Sequence, residues 1–178
     1  MGRDKAWLPI AGQSLVVRTI HTVQTVTRPV ICLAGLRQSL PVMPPGTIVM
    51  RDDAEHRGPL TAMQAGFRLI KSSSDAVFVA ATDLCYLSPV SIERLVNALN
   101  DHDAAVPYDG ERHHPLCAVY RVSVLPQIES MLEAGDHRVM NLLKRIDVLD
   151  VGEDILGDPA CVTNINTLED YERMVRSL

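Results

Sequence analysis

Apolar positions along the chain switch between a spacing near 3.6 residues and short unbroken runs, the alternation of helices laid against buried strands. Val16, Ile20 and Val23 recur at helical spacing within residues 13–26. Pro29 interrupts that pattern, and Val30 to Ala34 reads as a short buried strand. A loop through Pro41, Pro44, Pro45 and Gly46 leads to a second strand, Thr47 to Met50, which runs out into Arg51, Asp52 and Asp53. Leu60, Met63, Phe67 and Ile70 then share one helix face. That helix is predicted to open at Gly58-Pro59, because proline in a first turn lacks only an N–H that has no helical partner. Asp75 to Ala81 is the clearest strand, apolar on both faces as in a parallel strand covered on two sides, and it ends in Thr82-Asp83. Ser88 caps the next helix, with Pro89 in its first turn and Ile92, Leu95, Val96 and Leu99 on its inner face.

The second half continues in the same way. Ala104 to Pro107 and Pro115 to Arg121 read as strands, Val124 to Leu132 and Arg138 to Ile146 as helices, and Val148 to Val151 as a late strand. A last helix has Thr167 as its cap, Asp170 at capping-box spacing, and an inner face of Leu168, Tyr171, Val175 and Leu178. This alternation predicts an α/β sandwich with a largely parallel sheet. Ligands in such folds sit beyond the carboxyl ends of the strands, so chemistry is sought there.

The 178 residues suit one domain, with 47% hydrophobic and 22% charged residues. That composition excludes disorder as the main state. A net charge of −5 without a basic stripe argues against a nucleic-acid partner. The sequence lacks an apolar run long enough for a membrane span and opens without the apolar core of a signal peptide, so the cytoplasm is expected. Cys32, Cys85, Cys117 and Cys161 are widely spaced and each lies in or beside an apolar stretch. They read as reduced small hydrophobes rather than zinc ligands.

Four polar clusters remain. Lys5, in the segment Met1-Gly2-Arg3-Asp4-Lys5, is either a solvated charge or a cation for phosphate oxygens. Asp52-Asp53 with Arg57-Gly58-Pro59-Leu60 is either a solvated turn or a helix start open to an anion. Asp83 follows the most apolar strand, where a carboxylate must be solvated, paired or metal-bound. Magnesium characteristically takes one or two protein carboxylates together with substrate phosphates. Asn164 and Asn166 alternate onto one face just before a helix, which suits either turn chemistry or ligand orientation.

In chain order, MGRDK at 1–5, RDD at 51–53, GPL at 58–60, TD at 82–83, HPLCAVYR at 114–121, RVMNLL at 138–143 and NINTLEDY at 164–171 resemble the molybdenum cofactor guanylyltransferases. These belong to the wider nucleotidyltransferase superfamily. The resemblance implies a Rossmann-like three-layer α/β/α sandwich with a mostly parallel sheet. It implies transfer of GMP from GTP to the terminal phosphate of molybdopterin, with release of pyrophosphate. In that reading Lys5 and Asp83 are catalytic, Asp83 holds Mg²⁺, and Lys5, Asp52, Asp53 and Asp83 meet the GTP. Gly2, Gly58, Pro59, Asn164 and Asn166 line the molybdopterin side. Transient contact with molybdoenzymes or their chaperones is also implied. The family signature is a strand and glycine-rich loop ending in Met-Gly-x-Asp-Lys, and these residues begin at its Met. The resemblance therefore predicts a sheet without its central first strand, with two exposed edges and a hydrophobic slot. Cys85 stands where relatives often carry Pro, and GPLTA where they often carry GPLAG. The alternatives are a CTP-dependent cytidylyltransferase acting on the same pterin, and a non-catalytic relative. Asp4 before Lys5, with GPL at 58–60, favours the guanylyl branch.

Overall fold

The computed structural model describes residues 7–10, 12–52, 58–164 and 168–177. Strands β1 (Pro9–Ile10) and β2 (Gln13–Ser14) pair antiparallel before helix α1 (Leu15–Gln24). Gln13 and Ser14 thus begin as strand rather than helix, and the Leu15 N–H donates to the Leu8 carbonyl at 2.9 Å. α1 buries Leu15, Val16, Thr19, Ile20 and Val23, the stripe its spacing dictates.

Strand β3 (Val30–Gly35) pairs parallel with β4 (Thr47–Asp52), in register from Val30 opposite Thr47 to Gly35 opposite Asp52. Gln24 reinforces the crossover, its Nε2 donating to the Pro45 carbonyl at 3.0 Å and to Thr47 Oγ1 at 3.2 Å. Helix α2 (Pro59–Ile70) then leads to β5 (Ala76–Ala80). This strand–helix–strand crossover sets β5 running with β3 and β4.

Helix α3 (Pro89–Ala98) opens as its sequence predicts, with Ser88 Oγ accepting from the Ser91 N–H at 3.1 Å. Strands β6 (Ala104–Pro107) and β7 (Cys117–Arg121) follow, then helices α4 (Leu125–Glu133) and α5 (Val139–Leu143). The helix expected to reach Ile146 stops at Leu143. Strand β8 (Val148–Val151), the short helix α6 (Glu153–Leu156) and helix α7 (Leu168–Ser177) complete the chain. The Thr167 cap lies outside the described residues, as do the Leu168, Val175 and Leu178 side chains. Tyr171, from the same inner face, is half-buried and its hydroxyl donates to the Pro9 carbonyl.

The larger sheet has the order β5-β7-β6-β8. β6 and β8 are parallel, while β7 runs against both β5 and β6. Side chains alternate across it, as a pleat requires. Ala105, Cys117 and Val119 face one cluster with Val16 and Ile20 of α1 and Ile92 and Leu95 of α3. Ala104, Val106, Ala118 and Tyr120 face another with Leu60, Met63 and Phe67 of α2 and Ile128 and Met131 of α4. Helices on both faces make this a three-layer α/β/α sandwich. Full burial of each such Leu, Ile or Phe contributes about 1.5–3 kcal/mol. Val96, expected on the inner face of α3, is 41% exposed. It falls one position past Leu95, on the shoulder of the stripe that Ile92, Leu95 and Leu99 occupy.

Among the described residues β3 pairs only with β4, and β5 only with β7. The free edges of β3 and β5 border a cavity of about 780 Å³, lined by Val30 to Leu33, Ala76 to Ala81 and apolar residues of α1 and α2. This is the slot that the resemblance predicts. It also explains why β5, expected to be covered on both faces, is half-buried along its whole length.

Candidate active site

The cavity is apolar along most of its length and polar at one end, where Pro59, Thr82, Asp83 and Asn164 line it. Each residue arrives there for a local reason. The chain leaves β5 at Ala80, and two residues further on Thr82 and Asp83 stand at the strand's carboxyl end. Asp83 is half-buried. The next residue, Leu84, forms an antiparallel bridge with Asn164, which brings the far end of the chain alongside. Cys85 secures the same junction by donating from Sγ to the Thr163 carbonyl at 3.6 Å. Burial pushes the Cys85 thiol pKa up, and the neighbouring Asp83 carboxylate adds to the rise. The segment before Asn164 is shaped by a single turn of 3₁₀ helix, Pro159–Val162, capped by Asp158 Oδ1 accepting from the Ala160 N–H at 2.9 Å.

Gly58 and Pro59 come from the opposite wall. Gly58 holds φ 78° and ψ 174°, a conformation essentially restricted to glycine. That backbone aims the first N–H groups of α2 at the end of the cavity where Asp83 stands, and a helix N-terminus favours an anion. The loop before α5 packs against Gly58, whose Cβ position is 3.8 Å from the His137 carbonyl. Asp136 braces that loop by accepting from the Arg138 N–H at 3.1 Å and from Asn141 Nδ2 at 2.8 Å. These bonds, with Asn141 the stronger influence, hold its carboxyl pKa below the usual range. Asp136 Oδ1 also lies 3.6 Å from Arg138 Nε. Arg138 is therefore a cation on the loop beside Gly58. The motif RVMNLL contains it without marking it, because nothing in the sequence ties residue 138 to residue 58.

A second polar group lies where β6 ends and β7 begins. His114 Nε2 and Asp109 Oδ2 are 2.7 Å apart, and His113 Nε2 and Asp150 Oδ1 are 2.8 Å apart. Asp109 Oδ1 also accepts from the N–H groups of Glu111 and Arg112. The backbone bonds first, and His114 after them, hold the Asp109 carboxyl far below the ordinary range. Tyr108 packs its ring on His113 with centroids 4.9 Å apart.

The fold thus gathers Pro59, Asp83 and Asn164 at one cavity end, with Gly58 adjoining. Asp52 ends β4 opposite Gly35, and its side chain lies outside the description. Gly2, Lys5, Asp53 and Asn166 lie outside the described residues. Among those that are described, no three His, Cys, Asp or Glu side chains cluster closely enough to form a self-contained metal site. A lone Asp83 suits Mg²⁺, which takes few protein ligands when phosphates supply the rest. No described helix is long and apolar enough to cross a membrane.

Helices on both sides of the sheet, with an aspartate beyond β5 and a glycine-opened helix facing it, place the chain in the nucleotidyltransferase class of α/β folds. Solved structures agree on the fold. Molybdopterin-guanine dinucleotide biosynthesis protein A from Archaeoglobus fulgidus superposes with a TM-score of 0.77 at 18% identity, covering 99% of this chain and 91% of that one. The 2-C-methyl-D-erythritol 4-phosphate cytidylyltransferase of Thermus thermophilus superposes with a TM-score of 0.71 at 14% identity, covering 97% and 92%. A profile of the MobA-like NTP transferase domain matches residues 1–149. A protein of Mycobacterium tuberculosis named probable molybdenum cofactor guanylyltransferase is 34% identical over 172 residues, covering 94% of this chain and 83% of the relative. One of the same name from Mycobacterium marinum is 33% identical over 181 residues, covering 99% and 87%. The chain belongs to the MobA-like NTP transferase family.

Proposed function

We propose that this protein transfers GMP from GTP to the terminal phosphate of molybdopterin, making the guanine dinucleotide form of the cofactor. The convergence of Pro59, Asp83 and Asn164 at the carboxyl end of β5 carries the reading, and the names of the mycobacterial relatives give it its substrates.

A terminal phosphate oxygen of molybdopterin attacks the α-phosphorus of GTP. A new P–O bond forms there, the bond to the β-phosphate bridging oxygen breaks, and pyrophosphate leaves with the electron pair. Both partners are anions, so the main work of the site is to cancel repulsion and align them. Asp83 would hold Mg²⁺, which when bound neutralises phosphate charge. Lys5 offsets the remaining triphosphate charge, and Asp52 or Asp53 lies near the guanine nucleotide. Gly2, Gly58 and Pro59 admit the pterin phosphate against the N-terminus of α2, and Asn164 and Asn166 orient it from the other wall. The transfer proceeds without a covalent enzyme intermediate. The product then passes by transient contact to a molybdoenzyme or its chaperone in the cytoplasm.

The test is pyrophosphate release from GTP plus molybdopterin, with CTP as competitor. Magnesium-dependent release that Asp83→Ala reduces at least a hundredfold, with the fold retained, is the expected result. A tenfold preference for CTP overturns the guanylyl assignment, and full turnover by Asp83→Ala overturns the metal assignment.

A further inference from the structure

The slot between β3 and β5 has the properties of a missing piece of secondary structure. Its two long walls are strand edges, six residues of β3 and five of β5, whose only described pairing is on their other sides. An unpaired edge presents a row of N–H and C=O groups that another extended backbone satisfies. Two such edges facing one cavity specify a strand rather than a compact ligand. The remaining walls are apolar, with Val16, Ile20 and Val23 on one side and Met63, Phe67 and Ile70 on the other. Side chains alternating from an inserted strand would meet α1 on one face and α2 on the other.

The 178 residues do not themselves supply this piece. The described residues occupy other positions, and the undescribed stretches, 1–6, 11, 53–57, 165–167 and 178, contain no five consecutive apolar residues. Direction follows from Trp7. Its indole Nε1 donates to the Ser39 carbonyl at 3.0 Å, four residues beyond the end of β3 at Gly35. The start of the described chain therefore lies at the carboxyl ends of the strands, where Asp83 also stands. Residues 1–6, reaching about 20 Å when extended, bridge that end of the slot to Trp7.

We propose that the slot is a strand-receiving site whose occupant is one apolar extended segment of five or six residues, joined ahead of residue 1 and running parallel to β3 and β5. It unites the two sheets into one seven-stranded layer of β4, β3, the added strand, β5, β7, β6 and β8. This is strand addition of the kind that peptide-binding sheets use, with two edges instead of one.

Amide hydrogen exchange of residues 1–178 tests this, with β6 and β8 amides as an internal reference for the folded larger sheet. The same protein is then made with a six-residue Val/Leu/Ala strand fused ahead of Met1, with that strand fused after Leu178, and with the strand added as a free peptide. The upstream fusion is expected to slow exchange of the slot-facing amides in Val30–Leu33 and Ala76–Ala80 at least a hundredfold. It should also slow thiol labelling of Cys32, and a proline in the middle of the added strand should abolish both effects. Slot amides already as protected as β6 in the unmodified protein, or unchanged by the upstream fusion, overturn the strand-receiving site. Equal protection from the downstream fusion or the free peptide overturns the assignment of its source. Neither readout involves nucleotide, so failure here is distinct from failure of the proposed activity.

Discussion

Cys85 and Thr163 are 78 residues apart in sequence and joined by an Sγ-to-carbonyl hydrogen bond of 3.6 Å. One residue further out on each strand, Leu84 and Asn164 form an antiparallel bridge. The junction fixes Asp83 and Asn164 as neighbours, so its strength sets the shape of the polar end of the cavity. Cys85→Ala removes a buried sulfur and its weak bond and is expected to cost about 1 kcal/mol. Urea denaturation measures this, and an unchanged midpoint would show that the bridge alone suffices.

Asn164 is neutral at a place that two anionic substrates are proposed to approach. Asn164→Asp adds a charge beside Asp83, whereas Asn164→Ala removes only hydrogen-bonding capacity. The aspartate variant is expected to lose about tenfold more kcat/KM than the alanine variant, because like charges at close range in a cleft repel strongly. Steady-state kinetics with both variants decides the matter. Equal losses would indicate that the amide itself is what the site uses.

Gly58→Ala forces a side chain into a backbone conformation that only glycine adopts readily. Space is not the obstacle, since the nearest atom to the added Cβ is the His137 carbonyl at 3.8 Å. The expected cost is about 1–3 kcal/mol of backbone strain. A thermal midpoint unchanged by the substitution would show that the start of α2 relaxes freely.

Asp109 predicts a dependence on acid. The N–H groups of Arg112 and Glu111, and then His114, hold its carboxyl pKa far down in the folded protein. A depressed carboxylate contributes stability above its unfolded pKa of about 3.9, and that contribution is lost as pH falls toward the folded value. The stability gap between the native protein and Asp109→Asn is expected to be level from pH 7 to about pH 5 and to shrink below about pH 4. Denaturation curves across that range check the sign. A gap that widens in acid contradicts the assignment.

Tyr120 is fully buried and its hydroxyl donates to the Pro115 carbonyl at 2.8 Å. Burial raises its pKa, so the phenol stays neutral throughout the working range. Tyr120→Phe is expected to cost about 1 kcal/mol, the net value of one such bond, with the Phe67 ring contact retained. Chemical denaturation reads it directly.

Local signals carried much of this architecture. Ser88 and Pro89 announced α3, Gly58 and Pro59 announced α2, and the run from Ala76 to Ala80 announced β5, because each depends on neighbours within a few residues. The direction of β7 was not legible, since alternation along a strand is the same whichever way its partner runs. The two histidines at the start of β7 carried no signal either. Adjacent residues in extended chain point to opposite sides, so His113 meets Asp150 and His114 meets Asp109. Those partners lie 37 and 5 residues away, at distances no short motif encodes. Asp83 and Asn164 could each be singled out as polar residues beside apolar runs, but their adjacency is a product of the Leu84 bridge.

The division of the sheet has a bearing on how the molecule comes apart. With no ladder crossing from β3 to β5, the smaller leaf holds to the larger chiefly through the packing of α1 and α2 beneath and above it. Helix packing slides where a hydrogen-bonded ladder must break, so the leaf forms a separate opening unit with a lower threshold than the four-stranded body. Heat or a protease would then find the β3–β4 wing first, leaving a folded remnant built around β5 to β8.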